Sequence, residues 1–260
     1  MISQTLNKDT CEISHFDSTL GLKLKTGNSG AVFNPRFNGR AYNIQLNLKS
    51  RTPMNGNRYE NGEDKELLET SREHAKTYAR LINAEQVLMI THPLYMHLSH
   101  MDKIKNFKIM KEATLYKENL FNVLEANKSK RKLNVIFLET VHHYAAATSL
   151  LLETGLIDRV IFTEYDEGIP LEKNELMVLK DRKLFFGGGY NSLCLNDSLT
   201  SLQNLIDVRN ESFAVRDLII KSPRDEFETL IPDSIFINES KMPIERVISL
   251  EDFMQITGLN

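Results

Sequence analysis

NVIFLETVHHYAAATSLLLETGLIDRVIFTEY, residues 134–165, reads as strand, helix, strand. NVIFLE (134–139) and RVIFTEY (159–165) are nearly unbroken aliphatic and aromatic runs, the pattern of strands buried on both faces. Between them Tyr144 to Glu153 is rich in Ala and Leu, good helix formers, and the run stops at Gly155, a residue suited to closing a helix. Strands that must be covered on both sides and alternate with helices predict a parallel sheet.

The same grammar extends in both directions. Upstream, VLMI (87–90) predicts a strand, and Leu68, Ala75, Ala79 and Ile82 share one face of a helix predicted over 64–84. Ile109, Ala113, Tyr116, Leu120 and Leu124 recur at helical spacing in a second helix. Downstream, KLFF (183–186), AVRDLIIK (214–221), SIFIN (234–238) and ERVISL (245–250) read as further strands. SLEDFMQ (249–255) predicts a terminal helix with Ser249 as its N-cap. The fold class expected is therefore α/β: a mostly parallel, Rossmann-like sheet in a three-layer α/β/α sandwich spanning residues 63–260 as one domain. Residues 1–62, rich in Asn, Gly and Ser, predict an irregular N-terminal extension with one or two antiparallel or edge strands.

Composition narrows the function. With 41% hydrophobic and 26% charged residues, the 260-residue chain has the make-up of a globular protein. A net charge of -3 gives no global attraction for nucleic acid. Two distant cysteines, Cys11 and Cys194, suit a reducing compartment. No run approaches the roughly 18 apolar residues of a membrane span, and MISQTLNKDTC lacks the apolar centre of a signal peptide, so the expected location is cytoplasmic.

Ligands of open parallel sheets sit beyond the carboxyl ends of the strands. Polar residues gather there: THPLYMHLSH (91–100), ETVHHY (139–144), EYDEG (164–168) and GGGYNSLC (187–194) each follow a predicted strand. These segments hold five of the seven histidines. One chemistry this offers is a divalent metal held by His92, His97 and His100 with Asp166 or Glu139. There is, however, no HExxH, HxH or CxxC, and a cofactor-free protein is the expectation. GGGYNS also lacks both the GxGxxG spacing and a P-loop lysine.

A second chemistry is anion binding. Gly187, Gly188 and Gly189 predict a turn that lets a ligand approach the main chain, with Tyr190, Asn191 and Asp166 beside it. Between Arg36 and Arg58 the chain carries basic residues, Arg40 and Arg51 among them, and no acid. That stretch is a solvated loop or a flap offering guanidinium forks to a small anionic molecule.

The third chemistry is a thiol. Leu195, Leu199, Leu202 and Ile206 form a helical core stripe, and Cys194 is offset from it by about 100°, aligned with Ser198 and Ser201. A cysteine opening a helix, off the buried stripe, has the setting that lowers a thiol pKa; a filler sulfur is the alternative. His142 or His92 would be its general base, Glu139 or Glu164 would orient the imidazole, and amides of the Gly189 to Cys194 turn would hold the oxyanion.

The stretch KLFFGGGYNSLCLNDSLTSL, with a strand, glycines, and then Cys194 and Leu195 opening a helix, resembles the nucleophile region of isochorismatase-like cysteine hydrolases. The resemblance covers some twenty residues. It implies a three-layer α/β fold and Cys194 as nucleophile. That family also uses an aspartate ending an early strand and a lysine between it and the cysteine; here Thr91-His92 ends the first predicted strand. The leading expectation is thus a small-molecule hydrolase acting through Cys194. The alternatives are a degenerate, anion-binding or interaction protein on the same fold and a metal-dependent enzyme.

Overall fold

The computed structural model describes residues 63–99, 106–164, 167–190, 193–206, 212–221, 223–224, 229–230 and 246–260, with short strands at 25–27, 30–33, 36–37, 40–41 and 44–45. Six strands form one parallel sheet. They are β1 (Gln86–Thr91), β2 (Asn134–Glu139), β3 (Arg159–Phe162), β4 (Lys183–Gly189), β5 (Ser212–Ile220) and β6 (Val247–Ile248). Their order is β6-β5-β4-β1-β2-β3, with every neighbour parallel. The chain runs outward from β1 to β3, returns to the centre at β4, and runs outward again. The order reverses between β1 and β4, which makes their carboxyl ends the topological switch point of a Rossmann-like sheet.

Alternation along the strands builds two cores. Leu88 and Ile90 of β1, with Val135 and Phe137 of β2, face a layer made by α1 (Glu63–Tyr78), α2 (Tyr95–Ser99), α3 (Phe107–Lys130), α4 (Val141–His143), α5 (Ser149–Glu153) and α7 (Leu250–Thr257). Val87, Met89, Ile136 and Leu138 face α6 (Cys194–Gln203) and a 3-10 turn, Lys173–Leu179. Among the described residues no helix is long and apolar enough to cross a membrane.

Local chemistry sets the ends of these elements. The side chain of Asn106 caps α3 by accepting from the amides of Lys108 and Ile109, and Arg131 closes it in the left-handed conformation at φ 51°. Ser249 and Asp252 form a reciprocal capping box on α7, as the SLEDFMQ pattern predicts. The helix predicted over 64–84 stops at Tyr78 instead. There the chain turns, the amide of Arg80 donates to the carbonyl of Asp158 at 2.8 Å, and Ile82 joins the opposite core. The helix predicted from Tyr144 starts earlier, at Val141, and carries a π-helical turn, Tyr144–Thr148. SIFIN (234–238) lies outside the described residues. In the N-terminal region, Gly30–Phe33 pairs antiparallel with Lys25–Gly27 and with Ile44–Gln45, and Arg36–Phe37 pairs with Arg40–Ala41.

The triple glycine is the chief correction. It is not a turn but the buried last half of β4. Gly188 has φ 97°, and a Cβ there would stand 1.9 Å from the carbonyl oxygen of Thr91. A Cβ on Gly187 would stand 2.5 Å from the carbonyl oxygen of Leu218. That carbonyl belongs to a bulge in β5, where Ala214 to Ile219 spans the two-residue step from Phe186 to Gly188. The glycines therefore serve main-chain packing on both sides. Gly188→Ala is expected to destabilise the protein by at least about 2 kcal/mol, from strained φ and overpacking combined. Urea unfolding followed by circular dichroism would show it as a lowered midpoint with unchanged slope.

Candidate active site at the carboxyl edge

At the switch point, β1 ends in Thr91, and His92 follows it. Thr91 is buried and directed toward α6, where its hydroxyl donates to Oγ of Ser198 at 3.0 Å. Oγ of Ser198 lies 2.7 Å from the carbonyl of Gly168 and 2.9 Å from that of Cys194. A Cβ on Gly168 would fall 1.7 Å from the Cys194 carbonyl, so this loop lies directly on the first turn of α6. The amides of Leu193 and Leu195 both donate to the Tyr190 carbonyl at 3.1 Å. They are thereby committed to the turn, and the amide of Leu193 is removed from the expected set of oxyanion donors.

This packing corrects the expected environment of Cys194. Its helix face is not open: Cys194 is 4% exposed and Ser198 fully buried, because the Gly168 loop and Thr91 cover them. Cys194 is a thiol, not half of a disulfide.

His92 carries the chain over the end of β2. With φ 43° it donates its amide to the Leu138 carbonyl at 2.8 Å, and its Nε2 lies 2.8 Å from Oγ1 of Thr163, just after β3. Nδ1 is buried without a hydrogen-bond partner. Burial lowers its pKa from 6.5 to about 4; the Glu139 carboxylate opposes that shift and His143 adds to it. The ring is therefore neutral at pH 7.

Glu139 ends β2 and is completely buried. Its Oε1 accepts from the amide of Thr140 at 3.0 Å and its Oε2 from the hydroxyl of Thr148 at 3.1 Å. His143 follows one helical turn later, its Nδ1 3.4 Å from Oε1, with its amide capped by Oγ1 of Thr140. Tyr95 on α2 joins the strand ends. Its ring stacks on His92 at 5.8 Å between centroids and meets His143 and Tyr190 edge-on at 5.0 and 6.0 Å.

Of the residues expected from sequence, His92, Glu139 and Tyr190 thus come together. Adjacent helical residues point about 100° apart. It is His143, not His142, that stands by Glu139, while His142 is half-buried beside it. Glu164 is exposed, its amide bonded to the Ile169 carbonyl. His97 is buried against α3, with Nε2 3.0 Å from the Ala113 carbonyl and its ring stacked on Tyr116. Burial first, then the Lys117 charge, push its pKa down to about 3.

His100, Asp166, Asn191 and Arg51 lie outside the described residues, as does the side chain of Arg40. Among the described residues no group of three His, Cys, Asp or Glu is placed to hold a metal ion. Beside the glycines, Asp197 in the first turn of α6 has its carboxyl held above the usual range by burial, then by Glu167. Two acids at this helix start offset the attraction that its amides would exert on an anion.

Sequence reasoning missed Tyr95, His143, Thr148, Thr163 and Ser198. The i, i+4 spacing of Glu139 and His143 was the available signal. Compared with known proteins, the chain matches no family model and no curated protein.

The depressed pKa of His92 links the site to stability. Between pH 6.5 and 4 the unfolded ring takes up a proton that the folded ring refuses, so stability is complete above pH 6.5 and is lost as pH falls toward 4. The loss would reach ~3 kcal/mol from this group. His92→Asn, which tolerates the left-handed backbone, is expected to flatten the acid limb of stability against pH, leaving the share due to His97. Chemical denaturation across that pH range measures it.

Proposed function

We propose that the chain is a small-molecule enzyme of hydrolase type, with its substrate in the crevice above β1 and β4. Cys194 is the nucleophile and His143, oriented by Glu139, is the base. The observation that carries this reading is the buried Glu139–His143 pair: a carboxylate held by two donors, 3.4 Å from an imidazole, at the edge where this fold class binds ligands. His143 replaces His142 in the role expected from sequence. The resemblance around Cys194 supports the same assignment of the thiol.

In this reading His143 takes the thiol proton, and the thiolate adds to the substrate carbonyl. Collapse of the tetrahedral adduct expels the leaving group, which receives the proton from His143. Water, deprotonated by His143, then attacks the thioester, and the acid departs as the thiol is restored. Neutral His92, with Thr163 on its Nε2, provides a polar wall that adds no positive charge.

A second reading, a ligand-binding protein without turnover, is favoured by the low exposure of Cys194 and the engaged amides of Leu193 and Leu195. p-Nitrophenyl acetate separates the two. The hydrolase reading expects a burst of nitrophenol, an acetyl label mapped to Cys194 by mass spectrometry, and neither in Cys194→Ser. His143→Gln is expected to slow acylation by about a hundredfold. Equal labelling of wild type and Cys194→Ser would leave the binding protein as the better reading.

A further inference from the structure

Opposite the crevice, at the edge where the strands begin, cations gather. KSKRK (128–132) leads from the last turn of α3 into β2, and all of it is exposed. Arg80 joins it there, held by the bond from its amide to the Asp158 carbonyl. Arg159 opens β3, Lys183 opens β4, and Arg246 directly precedes β6. The strand order sets these groups in a row about 24 Å long. Among the described residues the acids on this edge are Glu85 and Asp181, both exposed, and Asp158, which is buried; Glu125 lies a turn further up α3. Oδ1 of Asp158 faces Arg131 at 3.5 Å and Arg80 at 4.0 Å, so a single carboxylate serves two guanidinium groups and leaves an excess of positive charge. The whole chain has a net charge of -3, which makes this concentration of cations local.

Lysines at a helix end alone would be ordinary, since Lys128 and Lys130 lie against the negative end of the α3 dipole. Arg159, Lys183 and Arg246 stand at strand starts, where no such dipole calls for them. Lys183 and Arg246 lie 5.4 and 5.7 Å from the centroid of the Phe213 ring, which holds both at the edge. An independent feature is Leu81, whose side chain is 85% exposed. Its carbonyl accepts from Nδ2 of Asn134 at 3.4 Å, which places it at the start of β2, within the row. Tyr78, also exposed, ends α1 three residues earlier. A protruding leucine among cations matches a lipid surface, where anionic headgroups meet the charges and the acyl boundary takes the side chain. A nucleic acid would use the cations and give the leucine no comparable apolar partner. Attraction to a charged surface sums net charge over a Debye length of about 10 Å, so the bond from Lys130 to the Asn260 carbonyl and the contacts with Phe213 do not subtract from it.

We propose that this edge docks the protein on an anionic phospholipid surface, with Leu81 inserted among the headgroups and the row of cations spread over them. The carboxyl edge, at the other end of the strands, then faces away from the lipid. The assignment is independent of the catalytic reading, since it uses none of the residues given a chemical role there.

The test is co-sedimentation of the full chain with vesicles of phosphatidylcholine, alone or with about 30% phosphatidylserine. At about 0.1 M salt the protein is expected to pellet with the mixed vesicles and to stay in solution with phosphatidylcholine alone; about 1 M salt is expected to release it. Lys128→Gln combined with Lys132→Gln is expected to weaken binding about 25-fold, roughly fivefold for each charge. Leu81→Ser is expected to weaken it about tenfold. These positions are exposed, so thermal melting is expected to be unchanged in both variants. No protein in the pellet at about 1 mM mixed lipid, or Leu81→Ser binding like wild type, would overturn the proposal. So would tighter binding to an oligouridine than to the mixed vesicles, which would reassign the row to nucleic acid.

Discussion

The structure depends on how closely β4 approaches its neighbours at the centre of the sheet. Three successive glycines remove every Cβ from the last half of that strand, so that Gly188 lies against the Thr91 carbonyl while Gly187 and Gly189 lie against Leu218 and Ile220. Thr91 is thereby held where its hydroxyl reaches Ser198 across the sheet edge, and α6 starts directly above. On the other side of β1, His92 bends over β2 toward Thr163. A side chain on β4 would push these apart, and the polar groups at the carboxyl edge would lose their common origin.

That edge is polar and buried. Glu139, His92 and Thr163 are fully buried; His92 pairs with Thr163 across the strand ends, and Glu139 with Thr140 and Thr148 of the segment that follows its strand. Burial charges two penalties of opposite chemical use. It keeps the His92 imidazole unprotonated, and it makes the Glu139 carboxylate costly unless hydrogen-bonded. Thr140 and Thr148 meet the second requirement, and the short helix with its π turn places both of them.

The sheet was legible because strands buried on two faces leave continuous apolar runs; NVIFLE coincides with β2 to the residue. The gathering of His92, Glu139 and Tyr190 was legible for the same reason, since knowing where a strand ends says which residues share its rim. Two kinds of information were not. Gly187 to Gly189 look alike in a turn and in a crowded strand, and only the bulge in β5 decides between them. Likewise the Cys194 face was judged from its own helix, whereas Gly168 and Thr91, distant in sequence, bury it. The choice between His142 and His143 turned on one residue of helix phase, which depends on α4 beginning at Val141 and not at Tyr144.

The irregularity in β5 reaches further than the strand. Its surplus residues lift Asp217 out of the ladder, where the carboxylate receives the amide of Leu250 at 2.8 Å and the carbonyl receives the Asn119 amide group at 3.2 Å. One kink thus moors α7 and α3 to the same spot, and Phe253 seals the joint against Phe185. Trimming β5 to an ideal strand would tidy the ladder and cast off the C-terminal end of the chain.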